Sequence, residues 1–249
     1  MNPRAANTQQ PSADGDSTRT RGGWIPVGTA AERRTKHAEH GTDRGRKTRN
    51  GIIDAARRVF ERMGYLDATV DDIVSEAEVA RGSYYTYFPD KLAVFRVVSE
   101  AVGKEILAAV SGMPQPAGTT TERLAQSNRQ YVEAYREHAA IYGLTEQLAT
   151  IDPVIHDARL ARRQQHAHRV SASIRRWQSA GRADPEIDVD ATAAMLVSMT
   201  SNFCYWWFVG GEDWETERAV ETLTSNWIRV LGLRDRPRKA WREAYAARL

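Results

Sequence analysis

Residues 69–88 read Thr-Val-Asp-Asp-Ile-Val-Ser-Glu-Ala-Glu-Val-Ala-Arg-Gly-Ser-Tyr-Tyr-Thr-Tyr-Phe. Val70, Ile73, Val74 and Ala77 recur at the spacing of one helix face, behind Thr69, a residue suited to capping a helix N-terminus. The chain turns after Glu78 and Val79, and Arg81 to Tyr87 form a second short helix. A buried helix of that length would be filled with leucine, isoleucine and alanine. This one offers Arg81, Gly82, Ser83, Tyr84, Tyr85, Thr86 and Tyr87. Two short helices of this kind, joined by a tight turn, form the pattern of a helix-turn-helix, in which the first helix holds the second in the DNA major groove.

The flanks agree. Ile52, Ala56, Val59, Phe60 and Met63 make one face of a preceding helix, which Gly64 is placed to stop. Phe88 returns the second short helix to the core, Pro89 breaks it, and Asp90 caps the helix that follows. Ser83 and Thr86 are short enough to reach base edges or phosphates, and tyrosine hydroxyls bond phosphate oxygens. Gly82 carries a helix-propensity cost of up to about 1 kcal/mol relative to alanine, so close approach of the backbone to DNA is its functional reading. Tyr84 has two readings, packing between helices or DNA contact.

From Thr48 to Ala93 the chain resembles the TetR (tetracycline-repressor-like) family of bacterial regulators. The resemblance rests on Gly64-Tyr65, on Ala68 to Ile73 and above all on Arg81 to Lys91. Three residues depart from the family pattern: Glu78 stands where glycine is usual, Ala80 where serine is usual, and Tyr87 where histidine is often found. The resemblance implies an all-α protein with an N-terminal helix-turn-helix domain and a C-terminal helical domain for ligand binding and dimerisation. It implies DNA contacts by Thr69, Ser83, Tyr85, Tyr87 and Lys91, with Arg81 and Thr86 at the positions that set sequence preference. Arg46, Lys47 and Thr48, at the entry to the first helix, join that DNA-facing set.

The net charge of +3 is unevenly spread: residues 1–49 carry 10 basic and 5 acidic side chains, and residues 234–249 carry 6 and 2. Residues 50–233 carry 19 basic and 25 acidic, so the positive charge lies in the two ends. The first 43 residues are poor in large apolar side chains and read as a disordered basic arm, which either tracks phosphates or is a solvated tail. Within it, Trp24 to Val27 form an apolar island. Residues 44–91 read as the helix-turn-helix domain, 92–233 as the helical body and 234–249 as a basic tail. The single cysteine, Cys204, excludes an internal disulfide and a cysteine-based zinc site. Nothing resembles a signal peptide, and no apolar run approaches the ~20 residues of a membrane span. The chain therefore reads as cytoplasmic and nucleoid-associated, without a membrane partner.

Helical periodicity continues through the body. Leu92, Phe95, Val98, Val102, Ile106 and Val110 make one long face. A helix from about Thr120 carries Tyr131, Tyr135, His138 and Tyr142 at steps of four, three and four. Asp152-Pro153 opens a long arginine-rich helix, which reads as a solvated basic face. Residues 190–208 are apolar on nearly every side, and Val220, Leu223, Trp227, Val230 and Leu231 mark a final amphipathic helix. In the resembling family the last two major helices pair with those of a second subunit. Met195, Met199, Val220, Leu223, Trp227 and Leu231 are the expected dimer contacts.

Tyr131, Tyr135, His138 and Tyr142, with Phe203, Trp206 and Trp207, either line a pocket for a small lipophilic or aromatic effector or are an aromatic core. Asn128, Gln147 and Asn202 are candidate orienting groups. His156, His166 and His168 lack the spacing of a metal set, no catalytic motif is present, and no cofactor is expected. The leading expectation is a homodimeric, effector-responsive repressor on a palindromic double-stranded operator. The alternative is a helical small-molecule-binding protein with a non-functional DNA-binding domain, and a helical enzyme using His138 and tyrosines is a distant third.

Overall fold

The computed structural model describes residues 42–110 and 118–235, and among them the regular structure is entirely helical. Nine helices follow one another: α1 (Asp43–Asp67), α2 (Val70–Glu76), α3 (Arg81–Tyr87), α4 (Lys91–Ala109), α5 (Thr120–Glu137), α6 (Ala139–Leu148), α7 (Pro153–Ser179), α8 (Val189–Phe208) and α9 (Thr216–Leu231). No helix among the described residues is long and apolar enough to cross a membrane. The basic arm, Trp24 to Val27 and most of the C-terminal tail lie outside the described residues.

Capping chemistry sets most helix starts. Thr69 and Asp72 form a reciprocal capping box on α2, and Thr119 and Glu122 form one on α5. Asp90 accepts from Ala93 N–H at 2.7 Å, and Asp152 from Ile155 N–H at 2.9 Å with Pro153 following it. Asp235 adds a second cap to α5: its carboxylate accepts from the Thr121 N–H at 2.9 Å and from the Thr121 hydroxyl at 2.8 Å. Gly64 interrupts α1 at φ 77°, a conformation open to glycine, but the backbone resumes its helical course to Asp67.

The first four helices and the body share one core. Ile52, Val59 and Phe60 of α1, Ile73 of α2, Tyr84 of α3 and Val94, Phe95 and Val98 of α4 are buried together, continuous with Tyr135 and Ile141 of the body. Phe60, Tyr65 and Phe95 form an aromatic cluster with centroids 5.2–5.8 Å apart. A second core at the far end joins Leu124, Ile174, Leu196, Trp227 and Leu231. Helix α4 packs against α1 and against the helices of the body.

The structure corrects two expectations about elements. The aromatic face from Tyr131 to Tyr142 is not one helix: His138, at φ −111° and ψ 13°, ends α5 and begins α6. The apolar stripe of α9 does not face outward. Val220, Leu223, Trp227 and Leu231 are all at most 5% exposed, and the Trp227 indole N–H donates to the Thr200 hydroxyl at 3.0 Å. These four residues pack α9 onto its own protomer. Of the expected dimer contacts, Met195 is 68% exposed, while Met199 is half-buried against the core.

Candidate nucleic-acid interface and ligand cavity

Helix α3 is held by two anchors. Tyr84 is fully buried and donates its hydroxyl to the Asp90 carbonyl at 3.0 Å, and burial pushes its pKa well up. Phe88 is buried one turn further on. Arg81, Gly82, Tyr85 and Thr86 are exposed, with Ser83 and Tyr87 half-exposed. Tyr84 is thus withdrawn from the DNA-facing set: its ring and hydroxyl are both spent inside the protein. Tyr87 leans toward the start of α1, where a Cβ on Gly45 would lie 3.4 Å from its hydroxyl.

Several expected contacts have partners within the fold. The Lys91 ammonium donates to the carbonyls of Tyr65 at 2.5 Å and Ala68 at 2.6 Å, and it lies over the Tyr65 ring. That ammonium ties the end of α1 to the start of α4. The phosphate contact that the resemblance implies for Lys91 thus falls on a residue already engaged within the fold. Thr69 is occupied as the cap of α2. Arg81 pairs with Asp71 across the turn, donating to Oδ1 at 2.5 Å and to Oδ2 at 2.6 Å, and reaches Tyr85 Oη at 3.4 Å. Thr86 donates back to the Gly82 carbonyl at 3.1 Å. At the start of α1, Lys47 is exposed, Arg46 pairs with Asp43, and Thr48 donates to the Arg44 carbonyl.

Gly82 is the telling position. It is helical and exposed, and nothing lies within 4 Å of where its Cβ would be. The protein itself has no packing reason for glycine there. Glu78, in the turn, takes φ 52°, the left-handed region that glycine adopts without steric cost. Ala80 offers no side-chain cap to α3.

Within the body lies a cavity of about 1040 Å³ between α4, α5, α6, α7 and α8. Tyr131, Tyr135 and Tyr142 line it, with Gln147 and Asn202 among the lining residues. The remaining expected residues do not. His138 is buried at the α5–α6 joint, against α1 and α4: its Nδ1 accepts from Arg57 at 2.7 Å, and its Nε2 faces Glu105 at 3.3 Å. Phe203 packs against Trp207 and Trp214, Trp207 stacks on Phe208, and Trp206 is 51% exposed. Asn128 donates to the Thr224 hydroxyl, away from the cavity.

The sequence missed the charged part of this wall. Arg159, Arg162 and Arg163 of the helix read as a solvated basic face all line the cavity. Arg159 binds Glu146 at 2.5 Å, and Arg163 donates to the Ser198 hydroxyl at 2.7 Å. Ser201 shares its hydroxyl with Tyr131 and Tyr142. His166 stacks on Tyr131 with centroids 5.5 Å apart, and burial, with Arg169 nearby, pushes its pKa down to about 4. It is therefore neutral at pH 7. Residue spacing identifies which positions share a helix face, but it does not show that a cavity lies opposite them.

Residues 52–98 match the family described as bacterial regulatory proteins, tetR family. Over 52 residues the chain is 48% identical to the HTH-type transcriptional regulator SrpR of Pseudomonas putida, a match covering 21% of this chain and 24% of that protein. Over 96 residues it is 32% identical to the HTH-type transcriptional regulator HbdR of an Aromatoleum strain, covering 36% and 40% respectively. The chain thus spans two-fifths or less of the curated relatives it matches. A broader likeness in fold is shown by the TetR family transcriptional regulator PfmR of Thermus thermophilus. Its TM-score is 0.57 at 21% identity, with 72% of this chain and 97% of that one covered. The similarity in sequence falls on the helices that seat α3, where residues 52–98 match the tetR family, and the similarity in fold extends through the body.

Proposed function

We propose that the chain is a homodimeric transcriptional repressor, cytoplasmic and nucleoid-associated, that reads a palindromic operator through α3 and is released when a small effector occupies the body cavity. One observation carries the reading: α3 is anchored by Tyr84 and Phe88, and it turns Arg81, Gly82, Ser83, Tyr85 and Thr86 outward with glycine where packing does not require it. Residues 44–91 hold 9 basic and 8 acidic side chains, so affinity cannot rest on bulk charge in this segment. Placement of the hydroxyls and of Arg81 must supply the sequence preference. Two such helices in a dimer would meet successive major grooves about 34–36 Å apart, which is why the operator should be palindromic.

The effector acts by preferring one arrangement of the body. It weakens DNA binding by its differential affinity for the two states, and DNA weakens effector binding by the same factor. Arg57 is placed to transmit this. From α1 it bonds Glu105 of α4 at 3.0 Å and His138 at the α5–α6 joint at 2.7 Å.

The test is selection of genomic fragments by the full chain, followed by affinity measured against salt. A palindromic site should emerge. Gly82→Ala should raise helix stability by up to about 1 kcal/mol, yet weaken that site about tenfold or more, the loss of roughly one base-pair contact. Enrichment of no palindrome would leave the chain a helical small-molecule binder with an idle DNA-binding domain. Unchanged affinity in Gly82→Ala would remove the close-approach role of α3.

A further inference from the structure

The cavity contains a charge that the protein does not balance. Arg162 reaches inward from α7 and lies against Gly103 of α4, where an added Cβ would come within 2.4 Å of the guanidinium. Its Nη1 atom is buried and has no hydrogen-bond partner among the described residues. The nearby carboxylates are committed elsewhere: Glu146 is bound by Arg159 at 2.5 Å, and Glu100 by Lys104 at 2.7 Å. Three arginines line the cavity against the single carboxylate of Glu146. His166, neutral at pH 7, adds no charge. A second buried polar atom without a partner is the Tyr135 hydroxyl, on the wall of the same cavity.

Buried charges are ordinarily paired, and a buried donor with no acceptor is a standing cost that a ligand can relieve. The wall also carries apolar side chains, Ile106, Leu107, Val197 and Met199, beside the tyrosines and the uncharged polar Gln147, Ser198 and Asn202. Accepting the body cavity as the effector site, we propose that the effector is an organic anion with an apolar or aromatic body and one acidic head group. The head group accepts from Arg162 and from the Tyr135 hydroxyl, while the body lies along the aliphatic wall. Gly103 is the residue that makes room for the guanidinium. A volume of about 1040 Å³ lies at the upper end of the roughly 300–1000 Å³ of ligand pockets, so the body can be large.

A pair of fluorescent probes tests this on the full chain. 1-Anilinonaphthalene-8-sulfonate carries an acidic group, and N-phenyl-1-naphthylamine is the same skeleton without it. The sulfonate should bind at least about tenfold more tightly, the effect of one charge-assisted hydrogen bond. Arg162→Met should abolish that preference and leave the neutral probe within about twofold, since it removes the charge and retains the stem. Tyr135→Phe should weaken the sulfonate by a smaller factor, and it serves as the second variant should Arg162→Met fail to fold. Equal binding of the two probes to the wild type, or equal weakening of both by Arg162→Met, overturns the anionic head group while leaving the cavity as an effector site. Binding of neither probe overturns this inference together with the effector site on which it rests.

Discussion

Glu78 carries a cost that its own side chain does not offset. At φ 52° its Cβ crowds the following carbonyl, which costs about 1–2 kcal/mol for an L-residue. Its side chain is exposed and enters no hydrogen bond or ion pair among the described residues. The turn nonetheless holds, because the Val79 N–H reaches the Val74 carbonyl at 3.1 Å and the Ala77 N–H reaches that of Ile73 at 2.9 Å. Glu78→Gly should relieve the strain and return part of the gain as unfolded-state freedom. A net stabilisation of about 0.5–1 kcal/mol is expected, a rise of roughly 1–4 °C in thermal midpoint. A fall in midpoint would show that the glutamate stabilises the turn by more than its backbone costs. The sequence already marked this position as a departure from the resembling family. It could not show that the left-handed backbone is kept despite the change, because that depends on the packing of α2 against α1.

At the scale of elements, helix existence was legible and helix joints were not. Ile73 and its neighbours announce α2, and Asp152-Pro153 announces α7, because periodicity and capping are local chemistry. The α5–α6 joint passed unseen: Tyr131, Tyr135, His138 and Tyr142 keep helical spacing across it, with no glycine or proline within those residues to mark the break. What fixes His138 there is remote in sequence, namely Arg57 and Glu105. The start of α7 is tied to α4 in a similar way. Asp152 caps α7 and accepts from Arg96 at 3.2 and 2.5 Å. The Arg96 guanidinium, helped by the Ile155 N–H, holds the Asp152 carboxyl below the usual carboxylate range. With the folded pKa depressed, the carboxylate's contribution is complete above its unfolded value of about 3.9 and is lost as pH falls through the folded one. Asp152→Asn keeps the cap and removes the charge. Because the Arg96 side chain is 37% exposed, solvent screens the pair. The loss at pH 7 should therefore be about 1 kcal/mol, or roughly 2–4 °C. The gap between variant and wild type should narrow below about pH 4. A gap of the same size at pH 3 and pH 7 would show that the carboxylate charge contributes nothing.

For the whole molecule, the proposed dimer requires a surface that a second copy can cover. The all-round apolar character of α8 pointed to a partner, while the periodicity of α9 picked residues that are buried within the protomer. A stripe facing its own protomer and a stripe facing another chain have the same spacing in sequence. The structure separates them by exposure. Met195 and Trp206 of α8 and Val230 of α9 are at least half exposed, while Leu223 and Trp227 are at most 5% exposed. The bond from Trp227 to Thr200 fixes α9 along α8 so that Val230 falls toward the Met195 end. Met195 and Trp206, eleven residues apart, lie on one helix face about three turns apart. Exposed apolar groups in such a row are what an isologous helical interface uses. If this face is the dimer contact, Met195→Glu with Trp206→Glu should give a folded monomer of 28.0 kDa where the wild type sediments at twice that mass. Its operator affinity should fall steeply, since one recognition helix cannot span two half-sites. Leu223→Ala should do the reverse, lowering stability by about 2–5 kcal/mol as a core cavity while leaving the folded fraction dimeric. A double variant that stays dimeric would move the interface off α8. A Leu223→Ala protein that dissociates while fully folded would return the interface to the α9 stripe that the spacing first suggested.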